Sequence, residues 1–192
     1  MTMDLTEHHL IECMLIEETI SSETIATGGM LTVKRDQVRL PNGNTSQREY
    51  VMHPGAVVVV PLLPNGKVIL EKQFRYPLHQ VFIELPAGKI DAGEDILATG
   101  QRELLEETGY TASEWTKLGH QHPCIGYSNE MIHMYLARSL IAGAHQRDDD
   151  EHLEVFEAPF EQCLSMIQHG EITDGKTIVA LFLAEKYLQQ HG

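Results

Sequence analysis

The chain has 192 residues, 42% hydrophobic and 22% charged, a composition that fits one folded domain with at most a small appendage and excludes a disordered polymer. Its 28 acidic residues against 14 basic ones leave a formal net charge of −14, which excludes bulk attraction to nucleic acid or to an anionic membrane surface. A phosphorylated ligand would have to be held by something other than overall charge, and metal ions gripped by carboxylates would serve.

The first residues, "MTMDLTEHHLIECMLIEE", are acidic and lack both a basic stretch and a long apolar run, so no signal peptide is expected. "GGMLTVKRDQVRLPNGNTSQREYVMH" predicts two strands joined around "LPNGN", with Asn42-Gly43 as the hairpin turn. "AVVVVPLL" (56–63) is a β-branched run suited to a buried strand, and with "GAVVVVPLL" as its longest apolar stretch the chain is not expected to enter a membrane. Asn65-Gly66 predicts a second hairpin turn, with "KVILEKQFR" returning, and "VFIELPAGKI" predicts a further strand ended by Pro86 and Gly88. "DAGEDILATGQRELLEETG" (91–109) carries the strongest helix signal, capped by Asp91 or a neighbour and stopped by Gly109. "TKLGHQHPCI" and "EMIHMYLARSL" predict strands around a "GYSN" loop, and "HLEVFEA" predicts another. "PFEQCLSMIQHG" predicts a short amphipathic helix with Phe160, Cys163, Leu164 and Ile167 on one side, and "TDGKTIVALFLAEKYLQQHG" a C-terminal helix. Strands mixed with helices predict an α/β arrangement, a mixed sheet between helical layers, preceded by a β appendage over residues 1–50 and followed as one domain over 51–192. Cys13, Cys124 and Cys163 are odd in number and widely spaced, which predicts reduced thiols and a cytoplasmic location.

On a helix, Glu103, Glu106 and Glu107 stand at i, i+3 and i+4 and share one face, with Leu97, Leu104 and Thr108 about a quarter turn away. A solvated acidic face is the ordinary meaning of such a run. Here the glycine-bearing loop "LPAGKIDAGE" leads into the helix, and crowded carboxylates suit a hard divalent cation whose shell is completed by water and phosphate oxygens. Histidines at 8, 9, 120 and 122 show no ligand spacing with the cysteines.

Gly88, Glu94, Arg102, Glu103, Leu104, Glu106, Glu107, Gly109 and Tyr110 fill every defined position of G-x5-E-x7-R-E-U-x-E-E-x-G-U, where U is bulky and apolar or aromatic. That pattern resembles the Nudix box. The resemblance implies a Nudix α/β/α sandwich whose loop–helix–loop binds Mg²⁺ or Mn²⁺ and hydrolyses a nucleoside diphosphate linked to another group. It implies metal ligation by Glu103, Glu106, Glu107 and the carbonyl of Ala87. Arg102 belongs with the catalytic set through its pairing with Glu94, which holds the box in shape. Gly100, where many members have alanine, implies a close approach to the sheet.

"HPGAVVVVPLLPNGKVILEKQFRYP", "ELPAGKID" and "GEITDGKTIVALFLA" are similar to the ADP-ribose pyrophosphatase branch, over roughly residues 45 to 188. The branch implies cleavage of ADP-ribose, or of a related nucleoside diphosphate sugar such as GDP-mannose, to a nucleoside monophosphate and a sugar phosphate. A non-catalytic Nudix-fold sensor is the remaining alternative. By position in the branch, Glu151, with Asp149 second, is the expected metal ligand or catalytic base beside Glu106, while Asp148 and Asp150 are equally well read as solvated loop. Arg75 is the expected contact to phosphate or ribose, while Glu84 is read as bonding substrate or bracing the loop, and Tyr76 as a substrate contact stacking on a base or as a packing residue. The branch also implies a homodimer built through the N-terminal β region. It commonly has a proline before the Gly-aromatic pair, where this chain has Ile125, and Glu130 is read as a structural residue at a strand start.

Overall fold

The computed structural model describes residues 15–29, 31–143 and 152–191. Glu151 and Asp148 to Asp150, like Cys13 and the histidines at 8 and 9, lie outside them. The chain divides into two units, one comprising residues up to His53 together with Cys124–Asn129, the other Pro54–Pro123 with Glu130–Gly192.

The first unit is an antiparallel sheet of β1 (Glu18–Thr27), β2 (Thr32–Arg39) and β3 (Thr45–Met52) in that order. Asn42-Gly43 turns β2 into β3 as the sequence predicts. Gly43 takes φ 86°, a conformation that favours glycine, and its N–H donates to Leu40 O at 2.9 Å. The strand β1 was not foreseen: its alternation of Thr, Ser and Glu leaves every residue exposed, so no buried stripe announces it. Within this unit Val51 also bridges Ser128 of the 124–129 loop.

The second unit has at its centre a mixed sheet in the order β7 (Ala87–Lys89), β4 (Ala56–Pro61), β9 (Ile132–Ala142), β8 (Tyr110–Gln121), with β4 and β9 parallel. A smaller antiparallel sheet runs β10 (Leu153–Pro159), β5 (Lys67–Arg75), β6 (Gln80–Glu84). The helix α1 (Ile96–Thr108) packs on β4, β7 and β8, whereas α3 (Gly175–His191) packs on β4, β8 and β9, and α2 (Phe160–Gln168) joins α3, β5 and β10. Every residue of β4 is buried, and its side chains alternate between two cores. Val58 and Val60 join Met134, Leu136, Ala180 and Leu181 on the α3 side; Val57 and Val59 join Leu104, Tyr135 and Ala137 on the α1 side. This is the α/β/α sandwich expected from the sequence.

Three local expectations need correction. Gly66 does turn the chain at φ 79°, but the pairing stays at the turn, in the Leu62–Val68 bridge and the Leu63 N–H donated to Lys67 O at 2.9 Å, and β4 and β5 enter different sheets. Both edges of β4 are already taken by β7 and β9, so β5 must pair elsewhere. "VFIELPAGKI" is two strands, because Pro86 cannot donate to a ladder and the chain crosses from one sheet to the other there. The cap of α1 is Asp95, whose side chain accepts from Leu97 and Ala98 N–H groups, four residues beyond Asp91. Gly100 meets the sheet closely, as expected: a β-carbon there would lie 3.0 Å from Val57 Cγ1.

Candidate active site

Arg102 organises the acidic wall. Its guanidinium uses all five N–H groups: two reach Glu94 at 2.9 and 3.0 Å, two from Nη1 reach Glu103 at 2.8 Å and Glu106 at 2.9 Å, and one reaches Lys89 O at 3.2 Å. Repulsion among acids at adjacent turns is thus relieved by a cation one residue before the first of them. Glu94 also accepts from Thr99 Oγ1 at 2.8 Å and from Asp91 N–H at 3.2 Å. Arg102 foremost, helped by Thr99 and Asp91 against desolvation, holds the Glu94 carboxyl down at about 2.

Glu103 and Glu107 face inward, 7% and 3% exposed, where α1 meets β7. Glu107 accepts the Ala87 N–H at 3.0 Å. Glu103 lies directly over Gly88: a β-carbon on that residue would stand 1.8 Å from Glu103 Oε1. The first glycine of the motif is therefore the space that a carboxylate occupies. This cradle, lined by buried all-oxygen donors, fits a hard divalent ion. Among the described residues, no three acidic, imidazole or thiol groups yet converge as a ready-made cage.

Three residues before Ala87 lies a second polar cluster. Glu84, 1% exposed at the end of β6, is held by Arg75 through a planar fork, Nε to Oε1 and Nη2 to Oε2, both at 2.7 Å. Lys176 bonds the same Glu84 Oε2 and also Asp174 Oδ2, the latter at 3.0 Å. Burial alone would raise the Glu84 carboxyl, but Arg75 and Lys176 outweigh it and hold it below the usual range. Asp174 accepts from Thr177 N–H at 3.0 Å and Oγ1 at 2.6 Å at the start of α3, and Thr177 Oγ1 accepts the Leu85 N–H at 2.9 Å. Arg75, Glu84, Asp174 and Lys176 border an open cavity of about 390 Å³ whose other walls include Pro77, Leu78, Phe82 and Thr173.

The structure therefore gathers Arg102, Glu103, Glu106 and Glu107 on one wall and Arg75 with Glu84 on the next. Tyr76 is 73% exposed, its ring 4.8 Å from that of His79, and does not line the cavity. Ile125 is 85% exposed. His120 contacts His122 and His133 edge-on or tilted, and burial pushes the His133 imidazole down, with Lys117 and His120 adding to it. Sequence reading missed Lys176, Asp174 and Thr177. Their signal was "TDGKT", a capping aspartate with a lysine two residues into the helix start.

The Nudix domain matches this chain over residues 52–179, and the nucleoside diphosphate sugar hydrolase N-terminal domain matches residues 17–51. An ADP-ribose pyrophosphatase of Bacillus subtilis is 42% identical over 177 residues, covering 91% of this chain and 94% of its own. A methanol dehydrogenase activator of Bacillus methanolicus is 39% identical over 175 residues, 90% of this chain and 92% of its own. The crystal structure of an ADP compounds hydrolase superposes with a TM-score of 0.84 at 24% identity, covering 93% of this chain and 97% of that one, and so shares its fold. The chain belongs to the Nudix family, in the branch whose Nudix domain follows the N-terminal domain of nucleoside diphosphate sugar hydrolases.

Proposed function

We propose that this chain hydrolyses the pyrophosphate bridge of ADP-ribose or a closely related nucleoside diphosphate sugar, releasing a nucleoside monophosphate and a sugar phosphate. The observation that carries this reading is the complete box folded into one wall, with Glu103 seated over Gly88 and Glu107 tied to Ala87. Nudix hydrolases generally use divalent metal ions, and Mg²⁺ is the ion proposed here, with Mn²⁺ a substitute. Glu103, Glu106, Glu107 and the Ala87 carbonyl are the proposed ligands, with Glu151 a further one. When bound, such an ion neutralises diphosphate charge and makes water more acidic.

The chain's own groups do the rest. Arg102 fixes the spacing of the acids. Arg75 offers a cation to phosphate or ribose, and Glu84 orients it. Glu151, or else Asp149, accepts the proton as the water oxygen bonds phosphorus and the bridging P–O bond breaks. The proposed setting is a cytoplasmic homodimer formed through the N-terminal sheet. Ile125, standing where the branch commonly has proline, favours a wider sugar range that includes GDP-mannose. All box glutamates are present, which disfavours a pure sensor.

The purified protein, given Mg²⁺ or Mn²⁺ and a panel of sugar nucleotides, is expected to turn ADP-ribose into AMP and ribose 5-phosphate. Glu107→Gln is expected to cut kcat by roughly 100-fold, through loss of about 3 kcal/mol of charge stabilisation. Absence of a nucleoside monophosphate from every member of the panel would overturn the proposal.

A further inference from the structure

Three imidazoles gather where β8 ends and β9 begins. His120 and His133 stand directly opposite each other on that antiparallel pair, and His122 follows His120 by two residues, the spacing that keeps side chains on one face of a strand. The rings share that face: the centre of His120 lies 5.8 Å from that of His122 and 6.2 Å from that of His133. Two imidazoles on one tetrahedral ion, each nitrogen about 2 Å from it, have ring centres roughly 5–6 Å apart. Each pair is therefore close to the spacing that a metal needs. The three rings do not yet share a common point, as no three such groups do among the described residues. His120 and His122 are exposed, so their rings can rotate to reach one.

Two further observations point to a ligand. His122 Nδ1 donates to Glu130 O at 3.2 Å, which leaves the Nε2 lone pair available, the arrangement that usually orients a metal-binding histidine. His133 Nδ1 is buried with no hydrogen-bond partner, a cost that a bond to a metal removes. Burial foremost, then Lys117 and His120, push the His133 imidazole down, so at neutral pH a ring nitrogen is free of its proton. Lys117 opposes a cation here, but it is exposed and its flexible stem can turn into water.

We propose that His120, His122 and His133 form a metal site separate from the acidic wall, which takes one divalent transition ion of the zinc, nickel and copper group through three imidazole nitrogens, with water completing its shell. The donor sets sort the ions. Carboxylate and carbonyl oxygens on the wall suit Mg²⁺ and Mn²⁺, whereas imidazole suits Zn²⁺, Ni²⁺ and Cu²⁺. Val57 pairs with Gly88 on one side and with His133 on the other, so the backbone of His133 lies two strand spacings, about 10 Å, from the first glycine of the box. An ion there ties the end of β8 to the start of β9 and so fixes both ends of the 123–129 segment.

Calorimetric titration of the full chain with Zn²⁺, in excess Mg²⁺ to occupy the acidic wall, is expected to show one Zn²⁺ bound per chain. His120→Ala and His122→Ala replace exposed residues that the fold does not need. Each is expected to weaken that binding at least tenfold, since losing even an outer partner of a metal ligand costs about 10–100-fold. Cu²⁺ added to the wild type under the same conditions is expected to give an electron paramagnetic resonance spectrum split by nitrogen, and the triple variant His120→Ala, His122→Ala, His133→Asn to lose that splitting. Equal Zn²⁺ affinity of the wild type and both single variants overturns the proposal. A Cu²⁺ spectrum of oxygen ligands alone overturns it as well. Zn²⁺ binding that is lost in Glu107→Gln but kept in the histidine variants overturns it by assigning the ion to the acidic wall. None of these readouts depends on turnover, so they decide the histidine site whether or not the sugar nucleotides are hydrolysed.

Discussion

Arg102 shows how one side chain can make an otherwise unfavourable sequence foldable. Three glutamates within five residues would weaken an isolated helix by a few tenths of a kcal/mol per like pair. The guanidinium collects Glu103 and Glu106 from its own helix and Glu94 from the loop before it. Glu94 records the result, its carboxyl held at about 2 against the ordinary 4.5. A depressed folded-state value means that Glu94 contributes stability in full above about 4.5 and loses it as the pH falls toward 2. Glu94→Gln is accordingly expected to melt a few degrees below the wild type at pH 7, with the gap closing as the solution is acidified through that window. Calorimetric scans at pH 7 and pH 3 check this, and an equal gap at both would contradict it.

At the level of elements, the meeting of α1 with β7 matters most, because a glycine on the strand leaves room for a glutamate on the helix. Gly88→Ala would put a β-carbon 1.8 Å from Glu103 Oε1. The carboxylate sits at the end of a side chain that can turn away, so the fold should survive while the wall loses one of its acids. An activity at least tenfold lower, with an unchanged circular dichroism spectrum, is expected, since a small displacement of a reacting constellation costs at least that much. Unaltered turnover would show that Glu103 need not lie there. The elements themselves were legible to different degrees. The helix α1, its glycine stop, the buried run of β4 and the Asn42-Gly43 turn all follow from local rules that act within a few residues. The separation of β5 from β4 does not, because it depends on which strands, distant in sequence, had already claimed the edges of β4. The wall of acids could be read from spacing on one helix. The Arg75–Glu84–Lys176 cluster could not, because Lys176 stands 92 residues beyond Glu84.

For the whole molecule, the N-terminal sheet raises the question of assembly. All ten residues of β1 are exposed, Ile20 and Ile25 among them, along a sheet edge that no other described strand pairs. Light scattering is expected to give twice the 21.6 kDa chain mass, and the double substitution of Ile20 and Ile25 by lysine to halve it. A wild type that weighs one chain would overturn the homodimer. The second unit is organised differently, around β4. Because Val57 and Val59 serve one hydrophobic mass while Val58 and Val60 serve the other, that strand acts as a party wall. Neither room can be remodelled alone: a bulkier side chain that suits the α3 side shifts the backbone on which the box helix leans. The tolerance of the hydrolytic chemistry to change is therefore limited by residues that never approach a phosphate.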